Sequence, residues 1–212
     1  MVRTTKIVTD ATRRKILNAA EVCFCHSGIS RTTLQSVATQ AGVTRGAVYW
    51  HFVDKEDLLR GVVERLSFSL LSELKRINHV HNQPVTALRD VLLESLATVL
   101  KNNQLKRLIR IVYFSDEYFR LSANNGVAVR FDEYEFIEIV TTIIRRSKQL
   151  NQTACCVDEK RQSCLIFSTY MSVLKYAVIM PRDHWIVREG TENLRWVLKQ
   201  GNIFREQSDS GV

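Results

Sequence analysis

Apolar residues recur at three- and four-residue intervals along almost the whole chain, and only two prolines and eight glycines interrupt its 212 residues. A period near 3.6 with so few breakers reads as helix, and no stretch alternates apolar and polar residues long enough to suggest a strand. The fold class expected is therefore all-α, with length enough for one large core or two small ones. No window approaches eighteen uncharged apolar residues, and the basic N-terminus lacks a following apolar run with a small-residue cleavage site. Those features predict a cytoplasmic protein without a membrane partner.

The formal net charge of +8 favours an anionic partner. Five cysteines, Cys23, Cys25, Cys155, Cys156 and Cys164, lack the paired spacing of a zinc site or a disulfide framework, so they read as reduced thiols. In "CFCH", Cys23 shares the stripe of Ile16 and Ala20, which favours packing over a metal. No metal or cofactor is expected. No nucleophile, base and orienting acid fall in a recognisable arrangement, and no phosphate-cradling glycine loop appears, so the chain is not expected to be an enzyme.

Nine helices are predicted. The first runs from Asp10, its expected cap, to Ser27, with Ile16, Ala20, Cys23 and Phe24 as a stripe and Gly28 as the stop. A capping-box spacing at Thr32–Gln35 opens a short second helix ending at Gly42, and Thr44 caps a third running to His51. Asp54 caps a long fourth helix through Leu70 that fades before Pro84. Further helices are expected at Val85–Lys101, Gln104–Phe114, Val127–Gln149, Asp158–Ile179 and Thr191–Gly201, with Pro181 and Gly190 punctuating the last two.

Helix, glycine turn and short helix make a helix-turn-helix candidate. Within it "GVTRGAVYWHF" crowds Tyr49, Trp50 and His51 together, and three consecutive side chains cannot all face a core. Val48 and Phe52 are expected to point inward, with Trp50 burying its ring between the short helices and the fourth. Thr44, Arg45 and Ala47 then lie on the leading end that enters a major groove, where Arg45 suits guanine edges and Ala47 a thymine methyl. Gly46 suggests close approach of another surface. Thr32, Thr33, Tyr49, His51 and Lys55 offer donors to one phosphate track. Basic residues also outnumber acidic ones before residue 56, Arg13, Arg14, Arg31 and Arg45 among them, as a nucleic-acid reader requires.

The stretch "TRRKILNAAEVCFCHSGISRTTLQSVATQAGVTRGAVYWHFVDKEDLL" closely resembles the DNA-binding domain of the TetR/AcrR family of bacterial repressors, and within it the branch that represses multidrug-efflux operons. The resemblance implies a DNA-binding domain at residues 1–55 and a ligand-binding and dimerisation domain at 56–212. It assigns base or groove contacts to Thr44, Arg45 and Ala47, and phosphate contacts to Thr33, Tyr49, His51 and Lys55.

In the larger domain, Phe68, Arg110, Tyr113, Phe114, Glu117, Phe136, Phe167 and Tyr170 are candidates to line an apolar pocket for a hydrophobic small-molecule inducer. The run "YFSDEY" departs from the efflux branch's usual pattern except at Glu117, so ligand identity does not carry over. Pairing on two operator half-sites predicts a homodimer, with Leu165, Val173, Leu174, Leu194, Val197 and Leu198 as its candidate interface. The expected function is a ligand-responsive repressor bound to double-stranded operator DNA, with the fourth helix as the link from sensor to reader. A thiol-based redox regulator using Cys155 and Cys156, or Cys23 and Cys25, is the alternative.

Overall fold

The computed structural model describes residues 2–66, 70–80, 82–125, 132–153, 158–181 and 183–200. They form eleven α-helices and no strand: α1 (Val2–Ser27), α2 (Leu34–Ala41), α3 (Arg45–His51), α4 (Lys55–Val63), α5 (Leu70–Val80), α6 (Pro84–Lys101), α7 (Asn103–Phe114), α8 (Asp116–Asn125), α9 (Glu133–Gln149), α10 (Glu159–Ile179) and α11 (Trp185–Gln200). Among the described residues no helix is long and apolar enough to cross a membrane.

The chain divides into two compact units. The first combines Met1–Ser67 with Asn103–Arg130, and the second combines Phe68–Asn102 with Phe131–Val212. The expected boundary at residue 55 therefore differs from this division: α4 belongs with the three short helices, and α7 and α8 join them from later in the chain.

In the first unit α1 packs on α2, α4 and α7. Ile16, Ala20 and Phe24 of α1 meet Val37, Val48, Phe52, Leu58, Val62, Leu108 and Ile111 in one core. Burying each aliphatic or aromatic group there contributes about 1.5–3 kcal/mol. Beside that core, Glu21 is fully buried on α1: Arg65 Nη1 lies 2.6 Å from its Oε1 as an ion pair, and Arg107 Nη2 lies 3.4 Å from its Oε2. Gln104 donates to Oε1 at 3.0 Å, and Arg65 Nη2 donates to Asn18 at 2.8 Å. A carboxylate taken from water needs such cationic neighbours, so Glu21 fixes where α7 lies along α1.

In the second unit α10 packs on α9 and α11, while α5 packs on α6 and α9. Gly190 lies inside α11, where a Cβ would meet Val173 Cγ2 of α10 at 2.9 Å. The glycine expected to stand just before the last helix instead lies within it and lets two helices approach.

Three other expectations change. Asp10 does not start α1, which runs from Val2. The long fourth helix is two helices: α4 ends at Val63, and Glu64 donates back to Arg60. Helix α8 was not expected, because Asp116–Asn125 is largely polar and carries no long apolar stripe.

Candidate nucleic-acid interface

The candidate interface is assembled by side chains that close helix ends. Thr33 caps α2: its Oγ1 accepts from Ser36 N at 3.0 Å, and Thr33 N donates to Ser36 Oγ at 3.1 Å. The capping box is thus one residue later than the spacing suggested. Helix α2 ends at Gly42, which is left-handed at φ +65°. Thr44 caps α3 by accepting from Ala47 N at 3.2 Å, and Asp54 caps α4 by accepting from Asp57 N at 2.7 Å. Each of these caps is worth about 1 kcal/mol. Together they set the angles at which α2, α3 and α4 leave their turns.

Val48 and Phe52 anchor α3 in the core at 0% and 2% exposure. Arg13 of α1 lies over the Phe52 ring, 5.2 Å from its centroid. The opposite side of α3 carries Arg45, Tyr49 and Trp50, all exposed. Arg45 Nη2 donates to Tyr49 Oη at 3.0 Å while its guanidinium lies 5.2 Å over the Tyr49 ring. The two side chains restrain one another on the open face, and Arg45 keeps further donors for a ligand. Gly46 is exposed and nothing but the Thr44 hydroxyl, at 3.9 Å, would approach a Cβ there. Ala47 and His51 are half-buried. Burial, and secondarily Arg13, lower the pKa of His51, which disfavours the imidazolium at neutral pH. Lys55 Nζ donates to Ser30 O at 2.9 Å, leaving two of its donors for other partners.

Two expectations for this surface are corrected. Thr32 is buried at 2% exposure, and its hydroxyl donates to Gly28 O at 2.7 Å, so it closes the turn before α2 and does not face a phosphate. Trp50 is 71% exposed, with its ring edge-on to His51 at 4.6 Å between centroids. Size and hydrophobicity suggested burial; the phase of α3, fixed by Val48 and Phe52, turns Trp50 outward.

The eight residues considered for a small-molecule pocket fall apart by unit. Arg110, Tyr113, Phe114 and Glu117 belong to the first unit, Phe136, Phe167 and Tyr170 to the second, and Phe68 lies outside the described residues. Arg110 is exposed, while Tyr113 and Phe114 are half-buried. Burial, and then Tyr118, push the Tyr113 hydroxyl up to about 12. The Glu117 carboxylate, expected to line a pocket, instead accepts from the backbone N–H groups of Ile29 and Ser30. Those bonds, the one from Ser30 first, hold its pKa below the usual glutamate value.

In the second unit Phe136 stands 5.4 Å from Phe167 and 6.1 Å from Tyr170 between ring centroids. Phe136 and Tyr170 are fully buried, and the Tyr170 hydroxyl pairs with Ser95 Oγ at 2.8 Å. These rings pack against one another between α9 and α10. A separate apolar recess of about 270 Å³, open mouth included, is lined by Val85, Leu88, Ile144, Thr153, Gln162, Ile166 and Leu198.

Five of the six residues expected on a pairing face are buried inside the single chain: Val173, Leu174, Leu194, Val197 and Leu198 are at most 5% exposed. Leu165 alone faces outward, at 47%. The outer stripe of α10 includes Cys164, Leu165, Ser168, Ser172, Lys175 and Ile179, and that of α11 includes Trp185 and Trp196. Both helices carry apolar residues on two sides, so the sequence could not settle which side faces inward.

Cys155 and Cys156 lie outside the described residues. Cys25 donates to Arg107 O at 3.4 Å, and burial pushes its thiol up to about 11. Burial raises the pKa of Cys23 as well. Neither environment favours the thiolate that oxidant chemistry needs. Among the described residues no three His, Cys, Asp or Glu side chains gather to hold a metal ion.

The model for bacterial regulatory proteins of the tetR family matches residues 16–62, which spans α2, α3, most of α4 and the second half of α1. The chain is 34% identical over 187 residues to the HTH-type transcriptional regulator TtgR of Pseudomonas putida, a match covering 85% of this chain and 87% of that protein. It is 37% identical over 120 residues to the HTH-type transcriptional regulator AcrR of Shigella flexneri, a match covering 56% of this chain and only 55% of that relative's length. Among solved structures, SmeT, the repressor of the Stenotrophomonas maltophilia multidrug efflux pump SmeDEF, superposes with a TM-score of 0.66 at 31% identity over 90% of both chains. Its triclosan complex gives the same TM-score at 29% identity over 89% of this chain and 90% of that one. With a helix-turn-helix head that matches the family model and a relative similar over most of both lengths, the chain belongs to the TetR family of bacterial regulatory proteins.

Proposed function

We propose that this chain is a DNA-binding transcriptional repressor of a multidrug-efflux operon, released from its operator by hydrophobic small molecules. The observation that carries the reading is the open face of α3, where Arg45, Tyr49 and Trp50 stand exposed on a helix anchored from behind by Val48 and Phe52. Arg45 and Ala47 meet base edges in the major groove; Thr33, Tyr49, His51 and Lys55 meet the phosphates on either side. Thr44 orients the leading turn while remaining within reach of the backbone. The named functions of TtgR, AcrR and SmeT support this assignment, and the SmeT–triclosan complex supports a hydrophobic effector class.

So small a reader gains affinity by acting in pairs on two half-sites. The protein works as a homodimer, joined through the outer stripes of α10 and α11. Leu165, Ile179, Trp185 and Trp196 expose large apolar area there, Ser168 and Ser172 leave room for close helix approach, and the exposed Lys175 is the charged residue of that stripe. The effector acts by binding more tightly to a state whose two heads no longer match successive major grooves.

The test is fluorescence anisotropy with a duplex taken from upstream of the chain's own gene, against a scrambled duplex, at several salt concentrations and with a panel of hydrophobic compounds that includes triclosan. Specific, salt-steep binding that a compound weakens is the expected result. Equal binding to both duplexes would remove the operator reading; specific binding that no compound in the panel alters would remove the assigned effector class.

A further inference from the structure

The four-residue turn Gly28–Arg31, which delivers the chain from α1 into α2, is held from several directions. Glu117, in the first turn of α8, accepts from Ile29 N and, at 3.0 Å, from Ser30 N. Lys55, the first residue of α4, donates to Ser30 O at 2.9 Å. Both backbone polar groups of Ser30 are thus taken by side chains from two other helices. Thr32 closes the turn on itself through Gly28 O, and Arg31 Nε donates to Ser27 O at 3.0 Å. Gly28 is left-handed at φ +82°, and a Cβ there would lie 3.1 Å from the Glu117 carboxylate. The turn therefore has both the backbone form and the open side that the carboxylate needs.

Glu117 carries a charge of the wrong sign for a surface facing phosphates, and it stands 87 residues from Ser30 in sequence. A negative side chain in a DNA-reading unit has a purpose other than attraction to DNA. Here its partners are two amides four and three residues before the Thr33 cap, in the turn that leads into α2, and α2 carries α3.

We propose that Glu117 is a positioning residue for operator binding: from α8 it holds the Ile29–Ser30 backbone, fixes the entry of α2, and thereby sets how α3 presents Arg45 and Tyr49. The proposal deepens the operator-binding reading and rests on it. It also gives α8 a specific route to the reader, because withdrawing one carboxylate frees two amides of the turn.

The test uses the full chain with Glu117→Ala and Glu117→Gln, the second keeping an oxygen that accepts from the amides. Amide hydrogen exchange at Ile29 and Ser30 reports the clamp directly, and anisotropy on the upstream and scrambled duplexes across salt reports the reader. For Glu117→Ala the expected result is exchange at those two amides about tenfold faster with Val48 and Phe52 unchanged, and operator affinity about tenfold weaker with the salt slope retained. Glu117→Gln restores most of both. The sign is decisive, since loss of a negative charge by itself would tighten DNA binding. Tighter or unaltered operator binding by Glu117→Ala, or exchange that rises equally at Val48, would overturn the proposal. Failure of the wild-type chain to prefer the upstream duplex would overturn the operator reading instead, while the exchange measurement would still decide the clamp.

Discussion

The two compact units hold their helices by different means. In the first, side chains reach the backbone of turns or a buried charge: Glu117 and Lys55 hold the Gly28–Arg31 turn, and Arg65, Arg107 and Gln104 surround Glu21. In the second, broad apolar faces meet around Phe136, Phe167 and Tyr170. Among its described residues the buried polar side chains form hydroxyl pairs, Thr141 with Ser163 at 3.0 Å and Ser147 with Thr153 at 2.7 Å, while the partly buried Gln162 donates to Val197 O at 2.8 Å. Directional bonds fix orientation sharply, whereas apolar faces fix proximity and tolerate repacking. On the proposed function, a reader that must match a groove requires the first, and a binder of varied compounds is served by the second.

The strongest way to break this contrast is Phe136→Ala. With its ring fully buried among two other rings, the substitution is expected to cost about 3–5 kcal/mol and to lower the calorimetric transition of the second unit. A loss under about 1 kcal/mol would show that the aromatic cluster is not what holds that unit.

Arg45→Ala addresses the other side of the comparison. Operator affinity is expected to fall by about 1–3 kcal/mol, with relaxed base preference in the half-site and the melting temperature almost unchanged. An equal loss on scrambled DNA would turn Arg45 into a phosphate contact.

Gly190→Ala probes how tightly the second unit closes. The new methyl meets Val173, which has to shift, and a cost of about 1–3 kcal/mol is expected in urea denaturation. Val173→Ala in the same chain should recover part of it; a double variant as unstable as the sum of the singles would place the strain elsewhere.

The smallest expected change is Thr33→Ala, which removes the α2 cap for about 1 kcal/mol of stability. If operator binding weakens far more than that, Thr33 also meets DNA.

Sequence reasoning succeeded where cause and effect are neighbours. Thr44 and Asp54 cap helices that begin at the next residue, and Gly28 stands directly after the end of α1, so a few adjacent letters specify each feature. Val48 and Phe52 were legible as an inward pair for the same reason. Features that depend on distant partners were not. Nothing near Glu117 announces a turn 87 residues earlier, and the exposure of Trp50 follows from the phase at which α3 is anchored. On α10 and α11 apolar residues occur on both sides, and only packing against α9 and between the two helices decides which stripe is hidden. The break after Val63 escaped notice because Leu58, Val62, Leu66 and Leu70 continue a helical period across it.

The first unit is discontinuous in the chain, with α7 and α8 arriving only after the α5–α6 excursion. During synthesis, residues 1–67 leave the ribosome with the places of Leu108, Ile111 and Tyr118 still empty and Glu21 without Arg107 or Gln104. The head cannot reach its finished form as a nascent N-terminal domain, and a chimera that joins it to another regulator's sensor at residue 67 would inherit foreign versions of two of its own walls. On the proposed function, a sensor and a reader would be exchanged cleanly only when residues 103–130 travel with the reader.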